Sequence, residues 1–130
     1  MSGAAEAVAA ALAMRLREAP GLGGVAMFEG VAAGAVLPRI EIGGSQGSDW
    51  SATAMHGREL RTAVTVRVAE GQRARLGGLV AAVEAAGETL AGDIGGWRVA
   101  GAVFLRSRPV TEKGGGAAVL VEHRVRVVAV

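Results

Sequence analysis

Cysteine and tyrosine are absent from this 130-residue chain, and lysine occurs once, at position 113. Without cysteine the chain can form no disulfide, no thiolate nucleophile and no cysteine-ligated metal site. Aromatic residues are scarce: Phe28, Trp50, Trp97 and Phe104 are the full set. The core must therefore be built mainly from aliphatic side chains. The composition is 51% hydrophobic, which argues against a disordered chain.

Long apolar runs are also missing. No stretch reaches the roughly 18–20 apolar residues that span a bilayer, so we expect no membrane partner. The opening segment MSGAAEAVAAALAMRLRE resembles a signal peptide only superficially, because it lacks a basic n-region and carries Glu6. We expect a soluble protein that folds in a reducing cytoplasm as a single domain over residues 1–130.

The charge balance is nearly even. The calculated pI is about 10.4, yet the formal net charge is only +2. With no cysteine or tyrosine to titrate above neutral pH, a small excess of arginine carries the pI far up. A DNA-binding footprint needs clustered charge rather than a high pI. The pI alone therefore does not identify a nucleic-acid partner.

Hydrophobic periodicity predicts an α+β domain with the order α-β-β-β-α-β-β. Periods of 3.6 and 2 place helices over 3–18 and 71–90, and strands over 25–29, 38–42, 58–70, 97–108 and 117–130. We expect a mostly antiparallel sheet with both helices packed on its valine-rich face. Glycines inside the second helix, Gly77 and Gly78 among them, indicate either close approach of another backbone or a compositional bias. The polar segment GGSQGSDWSATAMHGRE, from Gly43 to Glu59, is predicted to be a long loop before the third strand.

The strand alternation also predicts an arginine-rich face on the uncovered side of the sheet. Trp97, Val99, Val103 and Leu105 are assigned to the covered face, and Phe104 to the uncovered one. Such a face is either solvated, lines a path for nucleic acid, or pairs with another subunit through residues such as Glu41, Glu59, Glu70 and Glu122. Phe104 alone would interleave the arginines, so a base-stacking platform is lacking. The arginines are Arg61, Arg67, Arg106, Arg108, Arg124 and Arg126.

Catalytic and cofactor motifs are not supported. Asp49, Ser51 and His56 lie within eight residues, but no nucleophile elbow surrounds the serine and all three come from one loop. The segment GLGGVA (21–26) follows a helix and precedes a strand, the reverse of a dinucleotide site. His123 lies among valines and is predicted to be a satisfied core or interface histidine. We expect no enzyme activity, no cofactor and no metal site.

Trp50 stands apart because polar residues flank it on both sides. A tryptophan in a polar loop suits an interface anchor. The alternative is a tryptophan that folds back over the edge of the core. As an interface hypothesis we select the loop residues Asp49, Trp50, Ser51, His56 and Arg58.

Taken in order, several segments resemble the family of small phage tail-completion proteins, or tail terminators. They are LPRIEIGGSQGSDWSATAMHGRE, LRTAVTVRVAE, GQRARLGGLVAAVEAAGETL and WRVAGAVFLRSRPVTEKGGGAAVLVEHRVRVVAV. This family occurs in siphophage-like tails and in gene transfer agents of α-proteobacteria. The resemblance implies an α/β domain in which a sheet is flanked by helices.

The resemblance also implies a function. Tail terminators form a hexameric ring on the head-proximal end of the tail tube, stop its polymerisation and join it to the head connector. The implied partners are further copies of the chain, the tube protein, the connector or adaptor, and DNA that passes the lumen without sequence-specific binding. The implied location is the virion or phage-like particle. A neck or head-completion adaptor is the second hypothesis, and a small cytoplasmic enzyme or ligand-binding protein is the third.

Overall fold

The computed structural model describes residues 3–112 and 114–130. In chain order the elements are α1 (Ala4–Glu18), β1 (Ala26–Glu29), β2 (Arg39–Ile42), β3 (Gln46–Asp49), β4 (Gly57–Val68), a 3-10 helix (Glu70–Arg75), α2 (Leu76–Gly87), β5 (Trp97–Val110) and β6 (Ala117–Ala129). The six strands of the described residues form one sheet in the order β1-β2-β4-β6-β5, with β3 paired to β4 as well. Within the same residues, only β1 and β2 pair in parallel. The α+β class is therefore confirmed, with one strand more than predicted.

The core lies between the sheet and the two helices. Alternate residues of β4 point towards the helices, and β6 places valines opposite them, as in the pairs Leu60–Val125 and Val64–Val121. Each such aliphatic side chain contributes about 1.5–3 kcal/mol when fully buried. The helical residues that complete the core are Val8, Leu12, Leu16, Leu79 and Val83.

The first helix ends where the sequence predicts. Pro20 cannot continue the helical hydrogen bonding, and Gly21 adopts a left-handed φ of 89°. Ala4 and Ala7 extend the buried stripe of this helix towards its start, and Ala5 is exposed. No helix within the described ranges is long and apolar enough to cross a membrane.

The second helix begins later than predicted, after a turn of 3-10 helix. Gly77 and Gly78 are exposed, and a Cβ at either position would meet nothing within 4 Å. These two glycines therefore do not mark a close approach. Gly87 does, because a Cβ there would overlap the imidazole ring of His123 in β6.

The edge strand β5 contains two β-bulges, between Val99 and Gly101 and between Phe104 and Arg106. A bulge adds one residue and exchanges the two faces of the strand. The assignment of Phe104 to the arginine face is therefore wrong: its ring contacts His123 on the helix side, with centroids 5.7 Å apart. Val103 was assigned to the covered face, but it lies opposite Arg124 on the uncovered face and is exposed.

Candidate functional site

The polar segment after β2 is an ordered β-hairpin, so the prediction of a long loop is wrong. Residues 46–49 pair with 58–61 of β4, from Gln46–Arg61 to Asp49–Arg58. The Trp50 N–H donates to the Gly57 carbonyl at 3.0 Å, and two reciprocal bonds join Ala52 to Met55 at the tip. We call residues 44–58 the hairpin arm. All four residues of β3 are exposed, and β4 is the only strand with which β3 pairs in the described chain.

Ser51 braces the turn of the hairpin arm. Its hydroxyl donates to Asp49 Oδ1 at 2.7 Å and accepts the Gly57 N–H at 3.0 Å. His56 Nδ1 lies 3.3 Å from the Ser51 hydroxyl oxygen. The Ser51 hydrogen bond lowers the pKa of Asp49, and the nearby His56 and Arg58 act in the same direction. In a catalytic triad the histidine stands between serine and carboxylate. Here the serine stands between the other two, an arrangement that supports a turn rather than a nucleophile.

Trp50 folds back onto the uncovered face of the sheet. It is half-buried, and a Cβ on Gly57 would lie 3.0 Å from Trp50 Cε3. The guanidinium carbon of Arg126 lies 5.0 Å from the centroid of its ring, which is a cation–π distance. Trp50 therefore fills the space above a glycine and still exposes part of its ring.

The five hairpin residues selected from sequence are close together but divide between two faces. Trp50 lies on the uncovered face. His56 stacks against Trp97 on the helix side, with ring centroids 5.4 Å apart. Asp49 and Arg58 are opposite each other in the register. The arm thus presents a tryptophan on one side and a polar, hydrogen-bonded turn on the other.

The uncovered side of the sheet is confirmed as arginine-rich, and we call it the arginine face. Its best-buried ion pairs surround Glu41, whose carboxylate accepts from Arg39 Nε at 2.9 Å and Arg67 Nε at 2.8 Å. Arg67 also contacts Glu112. Burial alone raises the pKa of Glu41, but the hydrogen bonds from Arg67, the Ala32 N–H and Arg39 outweigh burial, so the net pKa is lowered.

Glu41 and Arg39 also hold the loop between β1 and β2 in place. Glu41 accepts the Ala32 N–H at 3.1 Å, and Arg39 donates to the Ala35 carbonyl at 3.0 Å. The fastened loop presents Val31 and Val36 to solvent. Sequence reasoning treated Glu41 as a partner for another subunit and overlooked this internal role.

Two further carboxylates neutralise the centre of the arginine face. Glu122 accepts from Arg106 Nε at 2.6 Å and lies 3.8 Å from Arg108 Nε. The Arg106 hydrogen bond lowers the pKa of Glu122 against the opposing effect of burial. Glu59 pairs with Arg126 at 2.8 Å. Most arginines of this face are therefore paired with carboxylates of the same chain.

His123 is buried between β6 and α2, as predicted for a core histidine. Its Nε2 lies 2.9 Å from the Glu84 carbonyl, which can only accept, so the ring donates through Nε2–H. Its Nδ1 is buried and has no hydrogen-bond partner among residues 3–112 and 114–130, so the histidine is only half satisfied. A search of the described residues finds no group of three or more histidine, aspartate or glutamate side chains that could hold a metal ion.

Comparison with known proteins gives one informative result. No protein-family model matches the chain, and no curated protein matches it. A chain in a solved structure of the virion of a native gene transfer agent (GTA) particle is similar, with a TM-score of 0.81 and 25% sequence identity. The match covers 98% of this chain and 100% of that chain. The similarity therefore extends over nearly the whole domain rather than a common sub-motif.

Proposed function

We propose that this protein is a structural component of a phage-like virion that caps the head-proximal end of the tail tube. In this role several copies form a ring, stop polymerisation of the tube and join it to the head connector. The observation that carries the proposal is the full-length similarity to a chain of a gene transfer agent virion. The resemblance of the sequence to tail-completion proteins supports the specific position in the tail.

A ring needs two different contact surfaces on each copy, because a heterologous contact closes only when one patch meets another under rotation. The sheet offers two such edges. The hairpin arm extends one edge of β4, while β5 forms the opposite edge beyond β6. The bulges of β5 and Pro109 interrupt continuous strand pairing there. We therefore expect side chains, with Trp50 as an anchor, to make the contact between copies.

Electron microscopy of particles from cells lacking this gene tests the proposed position. Tubes of irregular and excessive length without attached heads are the expected result, and the wild-type gene supplied in trans should restore normal tails. Tails of normal length that fail to join heads would instead indicate a neck adaptor. Intact particles would overturn the structural role altogether.

Substitution Trp50→Ala tests the contact. The lost cation–π interaction contributes about 0.5–1 kcal/mol at an exposed site, so the isolated chain should stay folded. Light scattering after size exclusion should show weaker oligomer formation, and tail assembly should fall with it. Met14→Ala removes an exposed apolar side chain from α1 and serves as the matched control. A Trp50→Ala chain that unfolds would show that the Trp50 side chain stabilises the fold of the single chain instead of a contact between copies.

A further inference from the structure

Two arginines of the arginine face have no acidic partner among the described residues. Arg67, Arg106, Arg108 and Arg126 each lie within 4 Å of a carboxylate oxygen. Arg61 and Arg124 make no ion pair or side-chain hydrogen bond within residues 3–112 and 114–130. They are also direct neighbours, because the register places Arg61 of β4 opposite Arg124 of β6.

This juxtaposition is unfavourable in the isolated chain. Side chains directly opposite in an antiparallel pair have Cβ atoms about 4.5–5.5 Å apart, and like charges there destabilise the pair. The neighbouring carboxylates are already engaged: Glu122, on which the charge of Arg61 acts, pairs with Arg106 and Arg108, and Glu59 pairs with Arg126. An external anion would remove the conflict.

The surroundings of the pair define the class of anion. Gln46 lies opposite Arg61 in the register, and the two residues line a shallow concavity of about 340 Å³ together with Gly47, Ser48 and Glu59, whose carboxylate is paired with Arg126. Val103 lies opposite Arg124. Among the described residues, neither Phe104 nor Trp50 offers the pair a free ring face on which a base could stack. Phe104 faces the helices, and the guanidinium group of Arg126 lies over the Trp50 ring. The site therefore suits a phosphate, which binds through charge and amide hydrogen bonds without reading sequence.

A carboxylate of a second copy fits less well. Eight of the twelve acidic residues are already engaged within the chain, in ion pairs or in side-chain hydrogen bonds. The four others lie away from the arginine face or at its margin: Glu6 and Glu18 on α1, Glu29 opposite the helix-facing Ile42, and Glu70 in the 3-10 helix.

We infer that Arg61 and Arg124 form a contact site for the phosphate backbone of double-stranded DNA. The inference rests on the proposed function, since the resemblance to tail terminators implies that DNA passes through the lumen of the ring. Each phosphate contact adds about −0.9 to the slope of log affinity against log salt. Two contacts correspond to about a tenfold loss of affinity between about 50 and 200 mM salt.

Fluorescence anisotropy of a short mixed-sequence duplex, titrated with purified protein at several salt concentrations, tests the site. The double variant Arg61→Gln/Arg124→Gln should bind more weakly and lose about two units of slope. The variant Arg17→Gln/Arg75→Gln removes the same charge from exposed positions outside the sheet and should lose clearly less. Equal losses in the two variants would overturn the inference.

Oligomer formation provides the second readout. Loss of the oligomer in Arg61→Gln/Arg124→Gln, with DNA binding equal to that of Arg17→Gln/Arg75→Gln, would assign the pair to a carboxylate of a neighbouring copy and overturn the DNA site. Binding of purified protein does not depend on its place in a particle. Failure of this inference is therefore distinct from failure of the deletion experiment.

Discussion

Glu41→Gln should be the most informative single substitution for stability. The carboxylate is buried and accepts three hydrogen bonds, from Arg39, Arg67 and the Ala32 N–H. Glutamine has nearly the same shape but no charge, so Arg39, which is itself buried, would lose its counter-charge, whereas Arg67 would keep Glu112. Removing one partner of a buried ion pair costs about 3–5 kcal/mol, because the remaining charge is stranded.

The matched control is Glu59→Gln. Glu59 forms a single ion pair with Arg126, and both side chains are about one-third exposed. Pairs of this kind contribute about 0–1 kcal/mol. The same chemical change should therefore have very different effects at two positions of one face.

Thermal denaturation, followed by circular dichroism at neutral pH, measures both variants. For a domain of this size 1 kcal/mol corresponds to roughly 3–5 °C in Tm, so Glu41→Gln should lower Tm by about 10 °C or more. Hydrogen exchange should also rise at Ala32, whose N–H loses a charged acceptor. A cost for Glu41→Gln no greater than that for Glu59→Gln would refute the idea that this ion-pair cluster stabilises the sheet.

Two further predictions concern packing and pH. Gly87→Ala should destabilise the fold by about 2 kcal/mol or more, because the new methyl group would overlap His123. Gly78→Ala should instead stabilise α2 by about 0.5–1 kcal/mol, because a Cβ there meets nothing within 4 Å. Thermal melts of the two variants provide the comparison. The pKa values of Glu41 and Glu122 are lowered from 4.5 on folding, so their contribution is complete above the unfolded pKa and is lost as pH falls through the folded pKa. Urea midpoints should accordingly decrease below about pH 4.5, and less steeply in Glu41→Gln; parallel pH profiles would contradict this.

The elements with strong periodicity were predictable from sequence. In β4, the buried residues Leu60, Thr62, Val64, Val66 and Val68 alternate with mostly polar residues, so the strand and its buried face follow from period two alone. The two faces of β5 could not be predicted from the same alternation. A bulge shifts the alternation by one residue, and the sequence around Val99 and Phe104 gives no mark of where the extra residue lies.

The hairpin arm was missed for a different reason. Its strand β3, QGSD, has no apolar residue and no buried side chain, so neither hydrophobic pattern nor composition indicates a strand. Its order comes from backbone pairing with β4 and from the Ser51 brace, which are tertiary and local hydrogen bonds. The buried role of Glu41 was hidden similarly, since burial of a glutamate depends on guanidinium groups that the fold brings from two strands.

The hairpin arm and the arginine face are joined because both are built on β4. Arg126 joins them, since its guanidinium contacts Glu59 of β4 and the Trp50 ring of the arm. β4 also places Arg61 opposite Gln46 of the arm. A contact that fixes the arm against a neighbouring copy therefore fixes the direction in which Arg61 and Arg124 point. Assembly through the arm would thus set the same orientation of the arginine pair in every copy of the ring.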